Sequence, residues 1–84
     1  MFEIKLDNQP ENFLKKCDKV LFERIKRKLN ELRENPVPHD AKRVIGYELP
    51  IFRIRIGKYR ILYRINHKEN RIIMIKIDHR EKVY

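Results

Sequence analysis

Apolar residues repeat every second position at the two ends of this chain and at helical spacing between them. In "FEIKL", Phe2, Ile4 and Leu6 alternate with Glu3 and Lys5, the period of a half-buried strand. Asp7-Asn8-Gln9-Pro10 follows with turn and helix-start chemistry. From Pro10 to about Glu34 the spacing is helical. Phe13, Leu14 and Cys17 share one face, and Leu21, Ile25, Leu29 and Leu32 recur at steps of four, four and three. Asp18 is suited to an N-cap, which predicts a short helix, a break and a longer helix. Asn35-Pro36-Val37-Pro38 ends the helical stretch, because proline cannot continue it. Residues 39–50 read as a connector, with a turn at Gly46. Three strand-like runs come next: Ile51–Ile56, Tyr59–Ile65 and Arg71–Asp78. Gly57-Lys58 fits a type II′ hairpin turn, and Asn66–Asn70 forms a longer polar loop. The order β-α-α-β-β-β predicts an α+β fold, a single domain over residues 1–84. Its two N-terminal helices pack on one face of an antiparallel sheet.

The alternation also predicts a register. A two-residue turn pairs Ile56 with Tyr59, Ile54 with Ile61 and Phe52 with Tyr63. It pairs Arg55 with Arg60 on the opposite face. A loop at Asn66–Asn70 then sets Ile65 opposite Arg71, Tyr63 opposite Ile73, Ile61 opposite Ile75 and Tyr59 opposite Ile77. In that register Ile73, Ile75 and Ile77 join the helix-facing side, Arg60 meets Lys76, and Arg64 meets Ile72. The other face gathers Arg53, Arg55, Arg60, Arg64 and Lys76, with Arg80 at the same parity beyond the strand and Lys58 in the turn. Like charges directly opposite one another destabilise a sheet. A solvent face on which long side chains cover aliphatic surface explains two or three such charges, whereas Arg55, Arg60 and Lys76 together suggest a polyanion site.

Charge sharpens this picture. The net charge of the 84 residues is +9. Residues 1–41 hold nine Lys and Arg against eight Asp and Glu, and residues 42–84 hold twelve against four. Nearly all the excess therefore lies in the basic strands, the pattern expected of a protein that meets a polyanion. No apolar run approaches the length of a membrane helix, and the N-terminus lacks the apolar core of a signal peptide. The expectation is a soluble cytoplasmic protein. Cys17 is the single cysteine, read as a small core residue. The three histidines are too scattered to suggest a metal site, and no cofactor is expected. Abundant Ile, Lys and Glu, with one Gln and no Trp, would suit a thermophile.

"FRIRIGKYRILYRI" followed by "IIMIKIDHREKVY" resembles the RelE/ParE toxin superfamily, and within it the RelE-type ribosome-dependent mRNA endoribonucleases. The likeness is specific over residues 52–84 and architectural over residues 1–41. It implies a toxin of a type II toxin-antitoxin system that enters the ribosomal A site and cuts the exposed codon. There the ribose 2′-hydroxyl attacks the neighbouring phosphate, giving a 2′,3′-cyclic phosphate without a metal. The residues matching the catalytic set are Arg53 and Arg55 before the turn, Arg60 after it, Arg80 after the last strand and the C-terminal Tyr84. The interval from Arg80 to Tyr84 is shorter than in some members. Lys42 or Arg43 matches a connector residue that assists some relatives, and Lys58, Arg64 and Lys76 are further expected RNA contacts. The partners implied are the ribosome, mRNA and a cognate antitoxin, with operator DNA reached through the antitoxin.

The chemistry of the residues agrees with that implication. In-line attack gathers negative charge on phosphorus and the leaving oxygen, and preorganised cations stabilise it. Arginine offers forked donors to phosphate oxygens. Proton transfer is less well served, since free Arg and Tyr titrate far from neutrality. Histidine as a residue type suits proton transfer near neutrality, but the parity of His79 continues the Ile77 side, away from the arginines. Tyr59 and Tyr63 are assigned to the core by the same parity. Two other functions fit the fold: a ParE-like inhibitor of DNA gyrase, and a non-catalytic RNA- or ribosome-binding module.

Overall fold

A computed structural model describes residues 1–79 of the chain. Strand β1 spans Glu3–Leu6, helix α1 Asn8–Lys16 and helix α2 Lys19–Glu34. Four strands follow: β2 at Lys42–Val44, β3 at Ile51–Ile56, β4 at Tyr59–Asn66 and β5 at Arg71–His79. They form one sheet in the order β1-β5-β4-β3-β2, antiparallel throughout except for the parallel β1–β5 pair. The expected α+β architecture is present, with β2 as an additional strand inside the connector. Lys42-Arg43-Val44 is too short and too charged to stand out by periodicity, and pairing with β3 supplies its order.

Local chemistry explains the helix pair. Asp18 is the N-cap of α2, and its carboxylate accepts from Leu21 N at 2.8 Å. That bond satisfies one of the orphan amides of the first turn. Leu21, Ile25 and Leu32 then face the sheet and are buried, with Leu29 partly so. They pack against Ile54 and Ile56 of β3, Ile61 and Tyr63 of β4, and Ile72, Met74 and Ile77 of β5. Cys17 lies against this cluster, and burial together with the Asp18 charge pushes its thiol up from the ordinary value. Tyr63 is fully buried, and its hydroxyl donates to Pro36 O at 2.7 Å, tying the end of the helical half to the middle of the sheet. Burial, reinforced by Asp40, pushes the Tyr63 hydroxyl well above its usual range.

A side chain extends the work of β1. That strand stops at Leu6, opposite Met74. Beyond it, Gln9 Nε2 donates to Ile77 O at 2.7 Å and Gln9 Oε1 accepts from Ile77 N at 2.8 Å. One amide side chain thus takes the place of a strand residue on the exposed edge of β5 and satisfies its backbone groups.

The β3–β4 register is the one the alternation predicts, including Arg55 opposite Arg60. Gly57 has φ +57°, and no other positive φ occurs in that turn, as a type II′ turn requires. The β4–β5 register differs from expectation twice. Asn66 is a strand residue paired with Arg71, so the loop is one residue shorter than Asn66–Asn70. The Asn66 side chain fastens this tight connection by accepting from Glu69 N at 3.1 Å, and Asn70 adopts a left-handed φ of 54°. A bulge then breaks the pairing between Leu62 and Tyr63, with Ile75 as the extra residue of β5. The first shift turns Ile72 and Met74 toward the helices in place of Ile73 and Ile75. The bulge restores the parity, so Ile77 and His79 face inward as expected. Tyr59 consequently lies opposite His79 and not Ile77.

Candidate functional site

The face of the sheet away from the helices carries the candidate site in two rows. The first crosses Arg55 of β3, Arg60 of β4 and Asp78 of β5. The second crosses Lys42 of β2, Arg53, Leu62 and Lys76. Lys76 therefore does not face Arg60, as the unbulged register had it. Asp78 does, and its Oδ2 lies 3.2 Å from Lys76 Nζ. Part of the repulsion expected across this face is thus offset by one carboxylate. Asp78 is the only acid within strands β2 to β5. Five cations against one carboxylate still leave the two rows strongly positive.

The rows differ in depth. Arg60 is 5% exposed, the one buried charged residue among those described. Arg55 is exposed and Arg53 half-buried. None of the salt bridges among the described residues involves Arg53 or Arg55, so both guanidinium groups remain available to a ligand. A guanidinium is costly to desolvate. Register sets the Asp78 carboxylate opposite Arg60, on the side away from Arg55. The arrangement offers preorganised donors, with Arg60 fixed by the sheet and Arg55 free to close from the solvent side.

The remaining predicted residues are distributed around these rows. Register places Lys42 beside Arg53 and Arg43 beside Phe52, so the two side chains leave opposite faces and Lys42 alone joins the outer one. Lys58 is exposed in the hairpin turn. Arg64 is on the outer face, opposite Ile73 and not Ile72, toward the other end of β4. Arg80 and Tyr84 lie outside the described residues. His79 packs its ring edge-on against Tyr59 at 5.3 Å, and Tyr59 does the same against Phe13 at 5.5 Å, all on the helix side. The sequence reading has Asp78 on this face by parity, near the strand end, and misses two features: that Asp78 stands opposite Arg60, and the strand at Lys42. The bulge hides that pairing, since only the shifted register sets Asp78 opposite Arg60. Among the described residues no group of three or more His, Cys, Asp or Glu gathers, and no helix is long and apolar enough to cross a membrane.

Comparison with known proteins identifies the family and the fold. Residues 4–84 match the family described as the ParE toxin of the type II toxin-antitoxin system, parDE. A curated relative from Methanocaldococcus jannaschii, which carries the provisional name toxin RelE1, is 30% identical over 86 residues. That alignment covers 99% of this chain and 94% of the relative. Among solved structures, the archaeal RelE–RelB complex from Pyrococcus horikoshii superposes with a TM-score of 0.83 at 26% identity, covering 98% of both chains. The E. coli RelBE toxin-antitoxin complex superposes with a TM-score of 0.84 at 20% identity, covering 98% of this chain and 100% of the other, a likeness of fold. The chain belongs to the RelE/ParE superfamily and is a toxin of a type II toxin-antitoxin system.

Proposed function

We propose that this toxin is an mRNA endoribonuclease that acts on the ribosome and stops translation in the cytoplasm. The observation that carries the reading is the row Arg55–Arg60–Asp78, a buried guanidinium beside an exposed one on a face with excess positive charge. A site of this kind suits a phosphate that gains charge during reaction. The 2′-oxygen forms a bond to phosphorus as the bond from phosphorus to the 5′-oxygen breaks. The products are a 2′,3′-cyclic phosphate and a 5′-hydroxyl. The proton of the 2′-hydroxyl leaves to a base, and another reaches the 5′-oxygen. Arg55 and Arg60 bind the phosphate oxygens, Arg53 adds supporting charge, and Arg80 and Tyr84 complete the set by resemblance. Lys42, Lys58, Arg64 and Lys76 bind flanking RNA, and Arg43 contributes from the other side of β2. No metal is required.

The names of its relatives support a cognate antitoxin as the resident partner. The RelE proteins in the superposed structures from P. horikoshii and E. coli are held in such complexes. Operator DNA would be reached through that antitoxin.

The matched family is named for ParE, and a gyrase inhibitor is therefore the rival. Purified toxin added to mRNA-programmed ribosomes, to naked mRNA and to a gyrase supercoiling reaction separates them. Cleavage on ribosomes, little on naked mRNA and unimpaired supercoiling is the expected result. Intact mRNA with blocked supercoiling would overturn the nuclease reading in favour of gyrase. Ribosome binding with neither effect would leave only a binding module.

A further inference from the structure

The outer face of the sheet has a second end, chemically unlike the arginine row. Ile51 of β3 and Ile75, the bulged residue of β5, form an apolar floor there, with Arg64 of β4 beside them. The connector after β2 folds over this floor and brings Tyr47 and Leu49 to its wall. The result is an open cleft of about 510 Å³. Its apolar wall is not core. Tyr47 is 54% exposed and Leu49 58% exposed, although Ile51 below them is only 4% exposed. Solvent-exposed aromatic and aliphatic side chains over a buried apolar floor leave a slot with one face supplied and the other open.

Two carboxylate-bearing residues, Asp7 and Glu48, line the same cleft. Their charge disfavours a phosphate in the slot itself, while a carboxylate readily accepts from the exocyclic amine of a base. Arg64 makes no ion pair with any described residue, and its guanidinium has a planar face suited to stacking. Tyr47, Arg64 and the two acids together are the chemistry of a flat, partly polar, uncharged group. We propose that this cleft is a nucleobase-binding subsite in which Tyr47 stacks on one base of a single-stranded RNA. The proposal rests on the RNA reading above. It assigns the partner of the cleft by its continuity with the cationic rows and by the acids that exclude phosphate. Arg60 and Arg64 are four residues apart on β4, about 13 Å at strand rise. The base held here therefore belongs to a nucleotide flanking the one attacked, and the cleft contributes to which sequence is cut.

The test uses the purified toxin and a short single-stranded 2′-O-methyl RNA, which lacks the attacking hydroxyl and carries the fluorescent base 2-aminopurine at successive positions. Wild-type protein should quench the probe strongly at one position. Tyr47→Ala should abolish that quenching and weaken binding about tenfold, as loss of one base–aromatic stack does. Tyr47→Phe should preserve both. Because stacking releases no counterions, Tyr47→Ala should leave the salt dependence of binding unchanged. Arg55→Ala should lower the slope of log affinity against log salt by about 0.7, as one lost phosphate contact does on a single strand. Unaltered quenching and affinity in Tyr47→Ala, with the slope lowered in Arg55→Ala, would overturn the subsite and leave the RNA reading standing. Normal RNA binding with weakened antitoxin binding would make the cleft a protein contact instead, which also overturns it. No RNA binding by the wild-type protein would overturn the subsite, and the RNA reading would then be decided by the cleavage assay on programmed ribosomes.

Discussion

The two faces of β4 are built from alternate residues of one segment, yet they obey different rules. Tyr59, Ile61, Tyr63 and Ile65 face the helices and find apolar partners on β3, β5 and α2. Arg60, Leu62 and Arg64 face away and meet Arg55, Arg53 and Ile73, with Asp78 the only acid among their strand partners. The inner face is complete within the chain, because each buried side chain has its contacts and the Tyr63 hydroxyl has an acceptor. The outer face is open: it holds exposed cations and a solvent-filled cleft. Apolar burial stabilises without a ligand. A crowd of like charges does so only when something of opposite sign arrives. The difference teaches where stability ends and function begins in a domain of this size. Substitutions on the two faces should therefore separate the two properties.

Arg60→Ala is the largest expected effect and the one place where the faces overlap. Ribosome-dependent cleavage should fall about 10²–10³-fold, the usual loss when a preorganised transition-state donor is removed. Because Arg60 is buried, thermal stability should change as well. Ribosome binding, measured by co-sedimentation, should fall far less than cleavage. Ile61→Ala sits next to it on the inner face and should do the opposite. It should cost about 2–5 kcal/mol in denaturant unfolding, with the specific activity of the folded fraction retained. An Ile61→Ala protein that folds normally and cleaves poorly would break the division between the faces.

Smaller effects sharpen the same contrast. Gly57→Ala puts a side chain at φ +57°, with a Cβ 3.0 Å from Arg24 Nη1. A left-handed conformation costs a non-glycine residue about 1–2 kcal/mol, and the flexible Arg24 tip can move aside. Unfolding should report that loss. Cleavage should fall modestly, since the turn sets Arg55 against Arg60. Tyr63→Phe should cost about 1 kcal/mol by leaving Pro36 O without its donor. This substitution also has a pH signature. Burial raises the Tyr63 hydroxyl above its ordinary value, so the neutral form is favoured in the folded state. Its stabilising contribution is whole below about pH 10, the unfolded value, and is lost as the pH rises from there through the folded value. Alkaline unfolding curves should show that loss in the wild type and a weaker one in Tyr63→Phe.

Much of this was legible in the sequence, for identifiable reasons. The helix break at Asp18 and the hairpin at Gly57 carry strong local chemistry, and the β3–β4 register follows from a turn of fixed length. The basic face was legible because period-two alternation is unbroken in β3 and departs in β4 only at Leu62. What failed was β5. Its run Arg71-Ile72-Ile73-Met74-Ile75 is apolar on both faces, so alternation gives no register there. The pairing of Asn66 with Arg71 and the bulge at Ile75 depend on tertiary contacts that a sequence pattern does not carry. The two errors cancelled at Ile77 and His79, and they concealed the pairing of Asp78 with Arg60 and the outward position of Ile75. Strand β2 and the fold of the connector were invisible for a related reason. Tyr47 and Leu49 look like loop residues until the chain places them over Ile51.

The claim at the centre is that the exposed cations of the outer face serve cleavage and not folding. Arg55→Ala tests it most directly, because Arg55 is exposed and in no salt bridge among the described residues. Its thermal melting and its cleavage of mRNA on programmed ribosomes should be measured on one preparation. Unchanged or slightly raised melting, from relief of the Arg55–Arg60 repulsion, with cleavage reduced about 10²-fold or more, is the expected result. Wild-type cleavage by Arg55→Ala would contradict it.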